Sequence, residues 1–287
     1  MAIFATVHET VSVSHTVKNL ARSIIMEVNK KETSNSLLAL SESLGAAVER
    51  ASPAVVAVHA RPRFPTSGVI WRPGIVVSTN HTIRRDEEIV VTLHDGSSVP
   101  ATLAGRDPST DLAVLRIGGD TATSQSAQTG DAAQLKAGNI VLAVGRVSEQ
   151  GVNASFGIVS ATGGAWRTWR GGEIDNLIRL DLAIYLGFSG GALIDAEGNV
   201  LGINTSALAR GAGVTIPAST VNRVVDALLT QGRIKRGYWA SGCRRSLPES
   251  LRTQLNLPAA QGLVIFRSNL RFGGESRSVN RRCVART

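Results

Sequence analysis

Between Ala54 and Ile216 the chain is cut into short runs rich in β-branched and small apolar residues, with turn signals and no helical stretch between them. Ten runs can be read: Val55–His59, Gly74–Ser78, Glu88–Leu93, Ala113–Ile117, Ile140–Gly145, Phe156–Ala161, Leu177–Asp181, Gly191–Ile194, Val200–Asn204 and Gly213–Ile216. Turn pairs such as Asp95-Gly96, Asp107-Pro108 and Gly171-Gly172 punctuate them. Strands that alternate with helices build parallel sheets, whereas strands joined directly by turns build antiparallel ones that close into barrels. The expected fold class is therefore all-β. The same stretch holds no cysteine, since Cys243 and Cys283 both lie further on. With no disulfide framework available, its apolar core alone must hold it together. The two cysteines are read as free thiols.

Two helices flank the strands. Residues 36–50 place Leu37, Leu40, Leu44 and Val48 at helical spacing, which predicts an amphipathic helix packed on the core edge. Ala218–Gln231 predicts a second helix burying Val221, Val224, Val225 and Leu228, with Ser219 or Thr220 as cap and Gly232 after its end. Residues 1–35 are read as a poorly ordered N-terminal extension. Their apolar positions are interrupted by His8, Glu9, Lys18 and Arg22, which does not match a signal peptide, and Met26 is a candidate alternative start. A cytoplasmic location is expected on that ground.

The net charge of +9 is not spread evenly. Residues 233–287 carry 12 Lys+Arg and 2 Asp+Glu, which leaves 19 basic and 20 acidic residues for the first 232. A solvated basic tail over 267–287 accounts for this, and nucleic acid is not an expected partner. No stretch reaches the length of a membrane span.

The chemistry is carried by three short motifs. In Gly187-Phe188-Ser189-Gly190-Gly191 a serine sits in a glycine-rich turn. A serine hydroxyl needs an adjacent base to act as a nucleophile, and backbone N–H groups to receive the negative oxygen it creates. The N–H groups of Gly187 and Ser189 are the candidate donors. His81 ends the run Ser78-Thr79-Asn80-His81, and Asp111 precedes a strand in Asp107-Pro108-Ser109-Thr110-Asp111. Each alone reads as a structural residue. Together they stand in the order His, Asp, Ser, one of the known orders of a catalytic triad and distinct from that of α/β-hydrolases. The remaining histidines, His8, His15, His59 and His94, are scattered, so no metal or organic cofactor is expected.

The segments TSGVIWRPGIVVSTNHTI, DPSTDLAVLRI and GFSGGALIDAEGNVLGINTSAL resemble the HtrA/Deg type of trypsin-like serine protease, in the family's order and over residues 36–232. The resemblance implies two six-stranded antiparallel β-barrels of chymotrypsin-like fold, with a few short helices and the triad between the barrels. It implies a serine endopeptidase acting on unfolded or damaged proteins, with His81, Asp111 and Ser189 catalytic. Substrate contacts are carried onto Asn204, Thr205 and Ser206, and the primary pocket onto Ile184 and Ala207. Small or medium aliphatic side chains are expected before the scissile bond. A homo-trimer is also implied.

Residues 233–266 resemble the opening of a PDZ domain, shortened, with Tyr238–Ser241 as candidate peptide-binding amides. Gly163–Glu173, with Trp166 and Trp169, falls where the family has a regulatory loop, and aromatic packing on a barrel surface explains it equally. Phe188 departs from the Asn usual in the family. With Leu186 it makes the approach to the candidate oxyanion amides bulkier and more apolar. That keeps an alternative open, a peptide- or misfolded-protein-binding chaperone with a latent protease site.

Overall fold

The computed structural model describes residues 35–118, 125–148, 151–209, 213–232 and 234. The N-terminal extension, the PDZ-like segment over 233–266 with Tyr238–Ser241, and the tail over 267–287 lie outside the described residues, apart from residues 35 and 234.

Strands β1 (Val55–His59), β2 (Thr66–Arg72), β3 (Ile75–Thr79), β4 (Ile89–Thr92), β5 (Ser98–Asp107) and β6 (Leu112–Ile117) close a barrel in the order β1-β2-β3-β6-β5-β4. A second barrel is formed by β7 (Ile140–Ser148), β8 (Gly151–Gly163), β11 (Leu177–Asp181), β12 (Ala192–Ile194), β13 (Val200–Thr205) and β14 (Gly213–Pro217), in the order β11-β14-β13-β12-β7-β8. Between β8 and β11 a small hairpin, β9 (Trp166–Arg167) and β10 (Glu173–Ile174), forms a two-stranded sheet of its own. Every pairing between these strands is antiparallel. This is the chymotrypsin-like architecture expected, and closure removes the exposed strand edges that would invite aggregation.

Each barrel has its own filling. Val56, Val58, Ile70, Val76, Ile89, Val91 and Leu115 pack inside the first, and Val141, Val159, Ile178, Leu180, Leu193 and Leu201 inside the second. A larger cluster joins the outer faces of the two, including Val69, Trp71, Val77, Val114, Val144, Ile194, Ile203 and Ile216. The alternation of side chains along each strand explains this division, since one face fills a barrel while the other meets its neighbour.

Helix α1, residues 35–51, and helix α2, Ala218–Gln231, complete the joining cluster. Helix α2 buries the four residues expected of it, and Gly232 ends it in a left-handed conformation (φ 67°) with its N–H on Leu228 O. Its start differs from expectation. Pro217 occupies the cap position, and Thr220 Oγ1 accepts instead from the backbone N–H of Asp175. The predicted face of α1 is also corrected. Leu44 and Val48 pack on the core with buried Ala47 and Ala51, while Leu37 and Leu40 are 65% and 42% exposed. Small alanines bring the helix close to the barrels at its C-terminal half only, and the first two turns reach past them. No helix among the described residues is long and apolar enough to cross a membrane.

Candidate active site

His81 lies in a single 3-10 turn, Asn80–Thr82, that follows directly from β3. Asp111 ends the turn between β5 and β6 at φ 61°, a left-handed conformation that aspartate tolerates better than most residues. The two are joined twice. The backbone N–H of His81 donates to Asp111 Oδ1 at 2.9 Å, and His81 Nδ1–H donates to Asp111 Oδ2 at 2.8 Å. A third donor comes from the other barrel, Thr205 Oγ1–H to Asp111 Oδ2 at 2.6 Å. The Asp111 side chain is 5% exposed, so these three bonds replace its hydration shell and keep its charge tolerable in the interior. They also fix the histidine tautomer, because an acceptor at Nδ1 requires the proton there and leaves Nε2 to act as a base.

Ser189 belongs to the second barrel, in the turn before β12. Its Oγ is hydrogen-bonded to Ser206 Oγ at 3.2 Å, and among the described residues it has no hydrogen bond to His81. Its carbonyl accepts from Thr66 Oγ1–H at 2.7 Å, which ties the turn to the first barrel. The preceding residues form a tight turn in which Phe188 N–H donates to Tyr185 O at 3.0 Å and Gly187 takes φ 92°. The positive φ at the third position and the bond from the fourth residue to the first match a type II turn. Glycine is required here and at Gly190 (φ 90°), where a Cβ would lie 2.1 Å from Ser67 O. The carbonyl of Gly187 is held from two sides, by Ser67 N–H at 2.9 Å and Ser67 Oγ–H at 2.7 Å. The N–H groups of Gly187 and Ser189 have no acceptor among the described residues.

The bulk expected at this loop goes inward. Phe188 is 2% exposed, packs edge-on against Tyr185 with ring centroids 5.4 Å apart, and lies against Gly145. Leu186 points to solvent at 72% exposure. Phe188 is therefore a structural plug beneath the turn, and Phe188→Ala is expected to cost about 3–5 kcal/mol of stability through the cavity it leaves. A fall in the midpoint of denaturant unfolding would show it; an unchanged midpoint would mean the ring is not packed as described.

Arg146 on β7 is buried behind the same turn. Its Nε–H donates to Val55 O at 2.8 Å, its Nη2 donates to His94 Nδ1 at 3.1 Å, and its backbone N–H donates to Ser67 Oγ at 3.0 Å. Burial pushes the guanidinium below its usual pKa. His94, scattered in the sequence, thus has a structural partner.

The candidate substrate residues are placed unequally. Asn204 is fully buried, its amide donating to Ala192 O at 2.7 Å and accepting from Thr215 Oγ1–H at 2.8 Å. Thr205 is likewise buried, its hydroxyl held by Asp111, while Ser206 and Ala207 are exposed. Ile184 and Ser206 line an open cleft of about 480 Å³, which Ala209 lines and Ala207 does not. Arg179 and Asp181 also form part of its wall, and nothing in their spacing brought them there.

Two sets of residues were not foreseen from sequence. Thr205 was read only as a substrate contact, and its bond to Asp111 crosses between barrels. Asp107 was read only as a turn signal, yet it is buried and accepts from Ser109 N–H, Ser109 Oγ–H and Thr110 Oγ1–H at 3.1, 2.5 and 2.7 Å. An Asp two residues before Ser in a Pro-containing turn was the one available signal for it.

Known proteins show the family of the chain. Residues 66–203 match the family described as "Trypsin-like peptidase domain". The chain is 35% identical over 213 residues to the "Probable periplasmic serine endoprotease DegP-like" of Brucella suis, covering 72% of this chain and 41% of that protein. It is 34% identical over 226 residues to "Serine endoprotease DegS" of Escherichia coli, covering 72% and 63%. The chain thus spans about two fifths of the length of the Brucella relative. Among solved structures, "HtrA-type protease AlgW with tripeptide" superposes with a TM-score of 0.59 at 32% identity, covering 78% of this chain and 75% of that one.

The expected cytoplasmic location is overturned by these relatives, of which the Brucella protein is named periplasmic. The ground for it was the interruption of the apolar positions in residues 1–35 by His8, Glu9, Lys18 and Arg22, and the relative's printed location outweighs it. With two closed barrels, a His–Asp pair in one and a glycine-flanked serine in the other, the chain belongs to the HtrA-type family of trypsin-like serine proteases.

Proposed function

We propose that this chain is a periplasmic serine endopeptidase that hydrolyses unfolded or damaged polypeptides through an acyl-enzyme. The observation that carries the reading is the His81–Asp111 pair, with Nε2 left as a base, beside a serine whose turn offers two amides without acceptors. In this mechanism Ser189 Oγ rotates away from Ser206 toward His81 Nε2, gives up its proton and attacks the peptide carbonyl. Asp111 holds the Nδ1–H tautomer and stabilises the imidazolium. The Gly187 and Ser189 amides receive the oxyanion. His81 then protonates the leaving amine, and water attacks the ester by the same route in reverse.

The first residue before the scissile bond is read as small or medium aliphatic, as the family resemblance implies for Ile184, which lines the cleft together with Leu180, Leu182, Arg179 and Asp181. Candidate substrate contacts remain Ser206, Ala207 and Ile184, whereas Asn204 and Thr205 are fully buried and the N–H and C=O of Asn204 are already bonded to Gly191 O and Gly190 N–H. The chaperone alternative is not favoured, because Phe188 is packed inward and does not displace the turn. A homo-trimer belongs to the same reading, supported by the family resemblance; a solution mass of one or two chains would count against it.

A fluorophosphonate probe tests the central claim. Labelling should add one phosphonyl group, mapped by peptide mass to Ser189, and the protein should cut an unfolded polypeptide after aliphatic residues. An unlabelled Ser189 under conditions where the fold is intact would refute the reading, and preferential cleavage after Arg or Lys would refute the specificity.

A further inference from the structure

We propose that Thr168 is a positioning residue for Asp111, acting through the backbone of the turn that carries it. The proposal rests on the triad reading above. Asp111 holds a left-handed backbone conformation, and such a residue keeps its place only when its surroundings over-determine it. From its own side the turn is held by the buried Asp107 carboxylate. From the far side it is held by the hairpin β9–β10, which belongs to the chain between β8 and β11.

The contact is specific. Thr168 Oγ1–H donates to Ser109 O at 2.6 Å, and the same oxygen accepts from Gly172 N–H at 3.0 Å. Donor and acceptor are both engaged, so the hydroxyl has a single orientation. Thr168 is 5% exposed. Its backbone closes the hairpin tip, Thr168 N–H donating to Gly172 O and Gly171 N–H donating to Thr168 O, both at 2.8 Å. At Gly172 the hairpin backbone presses on the turn, where an added Cβ would lie 2.2 Å from Ser109 O and 2.9 Å from Thr110 N. Two residues beyond Ser109, Asp111 meets His81. The stretch from β8 to β13 therefore holds the Asp111 carboxylate directly through Thr205, and the turn that carries it at Ser109 through Thr168.

A carboxylate displaced by a fraction of an ångström still binds His81, but no longer holds it at the angle that Ser189 needs. Thr168→Val keeps the shape and removes the hydroxyl. We expect kcat to fall about tenfold, with KM within about twofold, as for the loss of one well-made hydrogen bond. Thr168→Ser should restore it. In the free enzyme the low-field proton signal of His81 Nδ1–H should shift and broaden in the Val variant and return in the Ser variant. A Val variant with wild-type kcat and a wild-type signal overturns the proposal. So does a variant whose kcat, KM and melting temperature all change and which serine does not rescue, since that describes plain loss of structure. Should the Val variant not fold, Thr168→Ala is read in the same way. If the wild-type protein itself fails to react with fluorophosphonate, the functional reading falls, and the proton signal still judges the contact by itself.

Discussion

Ser189→Ala is expected to lower kcat by roughly 10⁶-fold and to abolish labelling by fluorophosphonate, with unfolding behaviour unchanged. The large kinetic effect follows from the division of labour in the site. Without Oγ no ester forms, and neither His81 nor the two amides can substitute for it. What persists is the stabilisation that the amides give to direct attack by water, a residue of roughly 10³–10⁴ over the uncatalysed rate. The small structural effect follows from the contacts of the side chain. Its only hydrogen bond among the described residues is to the exposed Ser206, while the turn is held by Thr66, Ser67 and the glycines. Progress curves on an unfolded polypeptide, beside a denaturation curve, measure both. Residual hydrolysis within tenfold of wild type would place the nucleophile elsewhere.

Asp111→Asn is expected to leave the fold intact and to lower kcat by about 10⁴-fold, because it reverses the tautomer of His81. Asparagine is among the few residues at ease with positive φ, so the backbone of the turn has no reason to move. The carboxylate accepts three bonds, one at Oδ1 from His81 N–H and two at Oδ2 from His81 Nδ1–H and Thr205 Oγ1–H. The amide oxygen of asparagine can replace Oδ1, which puts its NH₂ where Oδ2 was. That group faces Nδ1 as a donor, so the ring proton moves to Nε2 and the base is lost. Steady-state kinetics beside the imidazole nitrogen resonances of the variant test both halves of this argument. A variant that kept its proton on Nδ1 and its activity would show that Asp111 does not set the tautomer.

The architecture and the three motifs were legible because they depend on local chemistry. Turn residues, β-branched runs and a glycine-flanked serine are written in consecutive positions. Four strands lie outside the ten runs: the two-residue strands β9 and β10, and two barrel strands that are hidden for a physical reason. Strand β2 (TSGVIWR) is buried on both faces for six of its seven residues, because it lies between its barrel's filling and the other barrel, so it shows no alternation. Strand β5 (SVPATLAGRD) contains Pro100 and Gly105, which demote a run read from propensity. In α1, spacing says which residues can share a side of the helix, and the extent of the barrels decides which of them are covered, so Leu37 and Leu40 stay exposed. The contacts by which Thr205, Asp107 and Thr168 hold Asp111 and its turn are not legible in the sequence. Each acts on a partner fixed only when the chain has folded, and Thr205 lies 94 residues from Asp111.

The bond from Thr205 to Asp111 carries a consequence for a molecule of the proposed activity. An enzyme that cuts unfolded chains is, on unfolding, its own prey. Here the charge that arms the histidine in one barrel is secured from the other, and the nucleophile sits with that other barrel. Any motion that parts the two halves therefore separates the nucleophile from its base and takes a hydrogen bond from Asp111, so a copy whose barrels have come apart is no longer armed.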